Sequence, residues 1–285
     1  MIIIQILIGI MVVSLAGFIF GFGLAFLGKI FEVKMDSRIE ELVKILPGIN
    51  CGACGYAGCS GYAEAIITKD IEINLCSPGG QNVVEKISNL LGKSATANLK
   101  YVAKVKCLGD DAIAKKDYIF NGEEDCSVVY NFFQGEKSCK YGCVGRGDCI
   151  KVCPVNAIKR DELNRVWIEE NECIGCEKCV KVCPPKVIQM FPINGGYFVA
   201  CSSHDNGKVV RENCKKGCIG CNICEKVTND PNRIYVENNL AIIKYESNTD
   251  LKEACIKCPA SVIVPIVNQK KFMKQSIEKQ KSEKK

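Results

Sequence analysis

Twenty-one cysteines against a single histidine, His204, limit this 285-residue chain more than any other feature. Histidine-rich metal sites and any mechanism that needs two imidazoles are excluded. The thiols fall in short runs such as Cys51-x2-Cys54 and Cys173-x2-Cys176. Such runs mean disulfides in an oxidising compartment and metal ligands in a reducing one, so cellular placement has to be decided first.

The N-terminus decides it. From Met1 to Gly28 the sequence MIIIQILIGIMVVSLAGFIFGFGLAFLG has no charged side chain. About 20 apolar residues cross a bilayer as a helix, so residues 1–30 read as a transmembrane helix with room for tilt. A secretory signal fits poorly, because the run is long, no basic stretch precedes it and no Ala-x-Ala-like exit follows. Lys29, Lys34 and Arg38 come after the run, and only the terminal amine precedes it. The expectation is a single-pass protein of the cell (inner) membrane with the bulk of the chain on the cytoplasmic side. Gly17 and Gly21 form a small-xxx-small pair that would admit a second membrane helix. In a reducing cytoplasm the cysteines are metal ligands. With one histidine, the choice is between all-thiolate zinc and iron–sulfur clusters.

The net charge of +6 is local, since residues 269–285 hold seven Lys against two Glu. This Lys-rich tail reads as a solvated end. No folded basic face is expected, so no nucleic acid is expected as a partner.

Residues 36–95 read as a small helical 4Fe–4S module. Ser37 and Glu40 have capping-box spacing before Ile39, Leu42, Val43 and Leu46, and Pro47-Gly48 ends that helix. Helices are also expected over Tyr62–Thr68 and from about Gln81 to Leu91, the second stopping at Gly92. Between them Cys51, Cys54, Cys59 and Cys76 form C-x2-C-x4-C-x16-C. Thiolates on loops at helix ends suit a cluster, because backbone N–H groups there bond its sulfides and offset its negative charge.

After a small polar linker, a shift of 75 residues maps Cys126 onto Cys201, Cys139 onto Cys214, Cys143 onto Cys218, Cys149 onto Cys224 and Cys183 onto Cys258. No gap is needed, so residues 101–190 and 191–265 read as two tandem modules of one design. In the first, Cys173, Cys176, Cys179 and Cys183-Pro184 form C-x2-C-x2-C-x3-C-P, the bacterial ferredoxin run, whose last Cys ligates the other cluster of a pair. Cys153 of the upstream run therefore joins Cys173, Cys176 and Cys179. The upstream run, Cys143, Cys149 and Cys153-Pro154, lacks its middle ligand because position 146 is Arg. Cys143, Cys149 and Cys183 are left one short. Cys139 is expected to swing in as the fourth, the alternatives being a three-iron cluster or Cys126 reaching over.

In the second module the same shift lands Cys153, Cys173, Cys176 and Cys179 on Thr228, Asn248, Leu251 and Ala254. One whole cluster is absent, while Cys218, Cys221, Cys224 and Cys258-Pro259 stay complete. Cys107, Cys126, Cys201, Cys214 and Cys255 remain as buried or free thiols, since a site built from Cys201, Cys214 and Cys255 lacks a fourth. Val166-Trp167-Ile168 reads as a hairpin strand, with Trp167 a packing residue. Val155, Ile158, Val187 and Ile188 are placed to shield clusters from water. The expected fold is α+β with four 4Fe–4S clusters.

An apolar helix, then CGACGYAGCSGYAEAI, CKYGCVGRGDCIKVCPVNAI and CIGCEKCVKVCP, resembles in order the B subunit of the Rnf complex, the membrane-bound ferredoxin:NAD oxidoreductase that pumps sodium ions or protons. The resemblance covers residues 1 to about 265. It implies an iron–sulfur component that accepts electrons from soluble reduced ferredoxin and relays them to membrane subunits, with the A, C, D, E and G subunits as partners. It also implies that flavin and nicotinamide sites belong to those partners, and no glycine-rich dinucleotide fingerprint stands in this chain. No base, nucleophile and orienter are grouped here, so catalytic residues are expected to be none and enzyme status comes from the translocase complex. Two other classes are open: a corrinoid-type methyl-transfer iron–sulfur component, and a membrane-tethered zinc interaction module. Cobalamin binding would mark the first, and zinc in place of iron the second.

Overall fold

An unbroken apolar run satisfies its backbone as a helix but has no polar face to turn to water. In the computed structural model, which describes residues 2–30, 36–96, 98–246 and 250–267, that run is helix α1 (Ile2–Ile30). Lys34 and the tail 269–285 lie outside the described residues. Residues Ile4–Lys29 are long and apolar enough to span a membrane, and Leu7, Met11, Phe18 and Phe22 are exposed.

The next helices are α2 (Ser37–Ile45), α3 (Gly58–Thr68) and α4 (Gly80–Leu91). The cap of α2 is Asp36, whose carboxylate accepts the Arg38 N–H at 2.9 Å, one residue before the expected Ser37. Helix α4 stops at Gly92, whose φ of 67° is the left-handed conformation that a Cβ disfavours. Leu42, Tyr62, Ile66 and Ile87 form the shared core of the three helices.

Two similar units follow. The first runs β1 (Tyr101–Val105), α5 (Cys126–Asn131), α6 (Asp148–Lys151), β2 (Ile158–Arg160), β3 (Val166–Ile168), α7 (Lys178–Val182) and β4 (Ile188–Pro192). The second runs β5 (Tyr197–Val199), α8 (Gly207–Asn213), α9 (Ile223–Thr228), β6 (Ile234–Glu237), β7 (Leu240–Ile243), α10 (Lys252–Lys257) and β8 (Ile263–Pro265). Each unit has an outer antiparallel pair, β1–β4 or β5–β8, and an inner hairpin, β2–β3 or β6–β7. Strand alternation lets the outer pair of the first unit serve two cores. Ala103, Val105 and Ile188 face the first core, while Val102 and Phe191 join the second with Phe198, Leu251 and Ile263. Trp167 packs against that second core, in the packing role expected of it.

Strand register corrects the gap-free repeat. Val105 pairs with Ile188 and Val199 pairs with Ile263. The partners Ile188 and Ile263 obey the 75-residue shift, but Val105 and Val199 do not. Residues between β1 and α5 have no equal in the second unit, where Cys201 follows β5 directly. The topological counterpart of Cys201, two residues beyond β5, is therefore Cys107, two residues beyond β1, and not Cys126.

Candidate iron–sulfur sites

The loops that carry the cysteines share a backbone design. Gly145, Gly175 and Gly220, each two residues after the first Cys of a run, have φ of 87°, 70° and 62°. At Gly175 a Cβ would come within 2.7 Å of the Tyr101 carbonyl oxygen, so a side chain there would push the loop off β1. Gly147, Glu177 and Asn222 then enter α6, α7 and α9 from left-handed conformations. Each Cys-Pro turn closes on a residue of positive φ, namely Asn156, Lys186 and Ser261.

These loops arrange thiols around apolar cavities. Cys153, Cys173, Cys176 and Cys179 surround about 320 Å³, walled by Ala103, Val155, Ile158 and Ile168. Main-chain N–H groups already aim at two of these sulfurs, Ala157 N at 3.3 Å from Cys153 Sγ and Ala103 N at 3.5 Å from Cys173 Sγ. Cys218, Cys221, Cys224 and Cys258 surround about 360 Å³. In the N-terminal module Cys51, Cys54 and Cys59 are all close enough to act electrostatically on Cys76, although burial is the main reason its thiol is pushed up to about 11. The Asn50 side chain fixes that loop by accepting the Cys59 N–H at 2.8 Å. Tyr62 ties in the other end, donating its hydroxyl to Glu72 O at 2.9 Å and accepting Leu75 N–H at 3.1 Å.

The remaining set differs from the expectation. Cys143, Cys149 and Cys183 surround about 370 Å³, and the fourth thiol on that wall is Cys126. Cys139 lines another cavity and does not reach this one. Arg146, at the missing ligand's position, turns away to ion pairs with Glu136 (2.9 Å) and Glu124 (3.1 Å). Cys126 is held at the start of α5 by its N–H donating to Asp148 Oδ2 at 2.9 Å. Burial pushes the Cys143 thiol up to about 12 and raises Cys149 further, with Cys126 and Cys183 near enough to add to the second.

The donor set fits iron–sulfur cubanes. Among the described residues no three or more His, Cys, Asp or Glu side chains converge as the ligands of a single metal ion. The thiols ring voids instead of meeting at a point, as a multi-iron core requires. Buried thiols with raised pKa values carry their protons at neutral pH, so binding iron means displacing them. Cys255 stands outside all these walls, its thiol bonded to Ile263 O at 3.1 Å.

Comparison with known proteins agrees with this chemistry. A "Putative Fe-S cluster" family model matches residues 46–78, and a "4Fe-4S dicluster domain" model matches residues 138–187. The chain is 38% identical over 270 residues to the B subunit of the proton-translocating ferredoxin:NAD(+) oxidoreductase complex of Clostridium ljungdahlii, covering 94% of this chain and 95% of that one. It is 36% identical to the B subunit of the ion-translocating oxidoreductase complex of Methanosarcina acetivorans, covering 87% and 93%. It is 35% identical to the B subunit of the Na(+)-translocating ferredoxin:NAD(+) oxidoreductase complex of Acetobacterium woodii, covering 90% and 77%.

Proposed function

This chain belongs to the family of B subunits of ion-translocating ferredoxin:NAD oxidoreductase (Rnf) complexes, and we propose from this how its residues serve the complex. It is an iron–sulfur electron-transfer component, part of an enzyme but without a catalytic pocket of its own. Four 4Fe–4S clusters are assigned by ligand set. Cys51, Cys54, Cys59 and Cys76 hold one, and Cys126, Cys143, Cys149 and Cys183 a second. Cys153, Cys173, Cys176 and Cys179 hold a third, and Cys218, Cys221, Cys224 and Cys258 a fourth. The observation that carries this assignment is the repeated four-thiol, apolar-walled cavity of the second, third and fourth sets, with Cys51, Cys54 and Cys59 gathered near Cys76 in the first.

When bound, each cluster accepts and releases single electrons. The protein's part is to hold the clusters in order and keep water away. Thiol neighbours mark that order: Cys51 lies near Cys176, and Cys179 near Cys149. The N-terminal module is thus next to the third cluster's ligands, and these are next to the second's. Isoleucine, valine and alanine walls exclude water, which favours electron exchange between clusters over side reactions with solvent.

Reduced ferredoxin is the proposed donor, and the A, C, D, E and G subunits of the Rnf complex are the proposed partners. Helix α1 is assigned as the single membrane anchor with the clusters on the cytoplasmic side, and its Gly17 and Gly21 face as a contact for a partner helix. The test is anaerobic titration of the detergent-solubilised full chain with reduced ferredoxin. Bleaching of the visible iron–sulfur absorption is expected. A brown, iron-loaded chain that ferredoxin fails to bleach would contradict the assignment.

A further inference from the structure

We propose that Cys107, Cys139, Cys201 and Cys214 bind a fifth 4Fe–4S cluster, seated between the two ferredoxin-like modules. These four thiols line a cavity of about 470 Å³, against 320 to 370 Å³ for the three other four-thiol cavities. Each module supplies two thiols, and they are counterparts. Cys107 and Cys201 both follow the first strand by two residues. Cys139 and Cys214 are related by the 75-residue shift. Four thiols that serve none of the assigned sets thus converge on one cavity as two counterpart pairs.

The extra residues between β1 and α5 build this site. Lys115 N–H donates to Asn213 O at 2.8 Å, and Lys215 N–H to Ile113 O at 3.0 Å. On its other edge the same segment receives Ser138 N–H at Lys115 O, 3.0 Å. It is therefore a spacer between the stretches that end in Cys139 and Cys214. Ser202 Oγ donates to Lys106 O at 3.1 Å, clamping together the stretches that carry Cys107 and Cys201. Gly109 leaves the opening clear: a Cβ there would stand 3.5 Å from Cys107 Sγ and 3.7 Å from Cys214 Sγ. A cubane is held in this way, by sulfurs spread around a void with room at the centre.

The charge pattern calls for an anion. Lys106, Lys137 and Lys216 line the cavity against one carboxylate, Asp205. Lys137 is buried, with its ammonium donating to Gly109 O and Cys143 O, both at 2.8 Å. A cluster with four thiolates is negative in both redox states, so it would offset the cost of burying these ammonium groups.

The location also closes a gap. Cys107 acts electrostatically on Cys143 of the second cluster's set, and Cys201 Sγ accepts the Cys218 N–H of the fourth set at 3.3 Å. The fifth site thus stands between the clusters of the two modules. The exchange it serves is a one-electron step: the neighbour that donates is oxidised as this cluster is reduced, and no bond or proton moves. This bridging role rests on the four-cluster assignment above, and the experiment separates the two.

The experiment is iron and acid-labile sulfide analysis of the anaerobically purified full chain and of three variants. Cys139→Ser/Cys214→Ser should lose about four irons and an equal amount of sulfide, one 4Fe–4S cluster. Cys255→Ser should lose none. Cys221→Ser should lose about four from the fourth site, whatever happens at the fifth. If the double variant keeps its full iron while Cys221→Ser does not, the fifth cluster is refuted and the four-cluster assignment stands. An iron-edge anomalous map of the unaltered chain covers the case in which the double variant fails to fold. A peak between the modules is expected, and its absence, or Cys107, Cys139, Cys201 and Cys214 found as disulfides, overturns the proposal.

Discussion

The two ferredoxin-like units share strand order and the register of their outer strand pairs but fill equivalent positions with opposite chemistry. In the first, Lys104 is fully buried, with its ammonium 2.8 Å from Glu170 and 3.0 Å from Ile168 O. By strand register its counterpart is Phe198, and that of Glu170 is Tyr245. In the second unit these are aromatic, both packed on Phe191 at centroid distances of 5.2 and 5.9 Å. Where the first unit has the thiols Cys176 and Cys179, the second has Leu251 and Ala254, both buried in its core. A pair of thiols and a buried ion pair in one unit thus give way to apolar packing in the other. The framework is set by the outer and inner strand pairs; on the proposed assignment, the number of clusters is set by which cavities are left open.

A thiol exchange probes this contrast with the largest effect. The first unit has Arg146 where the second has Cys221, and Cys126 lines its cavity as the proposed fourth ligand. Cys126→Ser should remove about four irons, one cluster, as measured by iron and sulfide analysis. Adding Arg146→Cys to that variant should restore them, because it recreates the second unit's arrangement. Loss of the same cluster from Cys139→Ser, with Cys126→Ser silent, would show that the two units do not differ in this way.

The ion pair gives the next effect. Lys104→Ala leaves Glu170 buried without its cation and should destabilise the chain by about 3–5 kcal/mol in denaturant unfolding of the cluster-loaded form. The paired change Lys104→Phe/Glu170→Tyr imitates the second unit and should cost far less, since apolar replacement of a whole buried pair is often close to neutral. Equal losses from the two variants would show that the aromatic solution does not transfer between units.

Charge around the inter-module cavity gives the smallest effect. Lys216→Met removes a cation whose burial already pulls its pKa down. An added electron would be less well stabilised there, so one midpoint potential should become more negative by on the order of tens of mV. Redox titration followed by electron paramagnetic resonance reads this, and an unchanged set of midpoints would contradict it.

Much of the fold was legible because it is local. The run from Met1 to Gly28 dictates a helix, and none of the other described residues covers it. The spacing of Cys173, Cys176 and Cys179 sets three thiols on one loop and the start of α7, and the crossed rule brings Cys153 to them. The choice between Cys126 and Cys139 was not legible from spacing. It depends on residues 113–117 pairing with stretches near 138 and 213, contacts that bridge the two units. A signal was nevertheless present: the unit that lacks a Cys at 146 is the one with Cys126 on its cavity wall. Cys107 and Cys201 escape notice as a pair in the sequence because the gap-free shift hides an insertion that only strand register exposes. The Asp36 cap lies one residue from the expected one, a difference of which neighbouring side chain reaches the Arg38 N–H.

In the proposed assignment, relocated thiols let two units of one design carry unequal numbers of clusters and share another between them. Iron and sulfide stoichiometry of the unaltered, anaerobically purified full chain, with Mössbauer spectra to identify cluster type, reads this directly. About twenty irons per chain, all in 4Fe–4S form, are expected for five complete cubanes. About sixteen, or zinc in place of iron at any of the thiol sets, would refute the shared cluster or the redox role of that set.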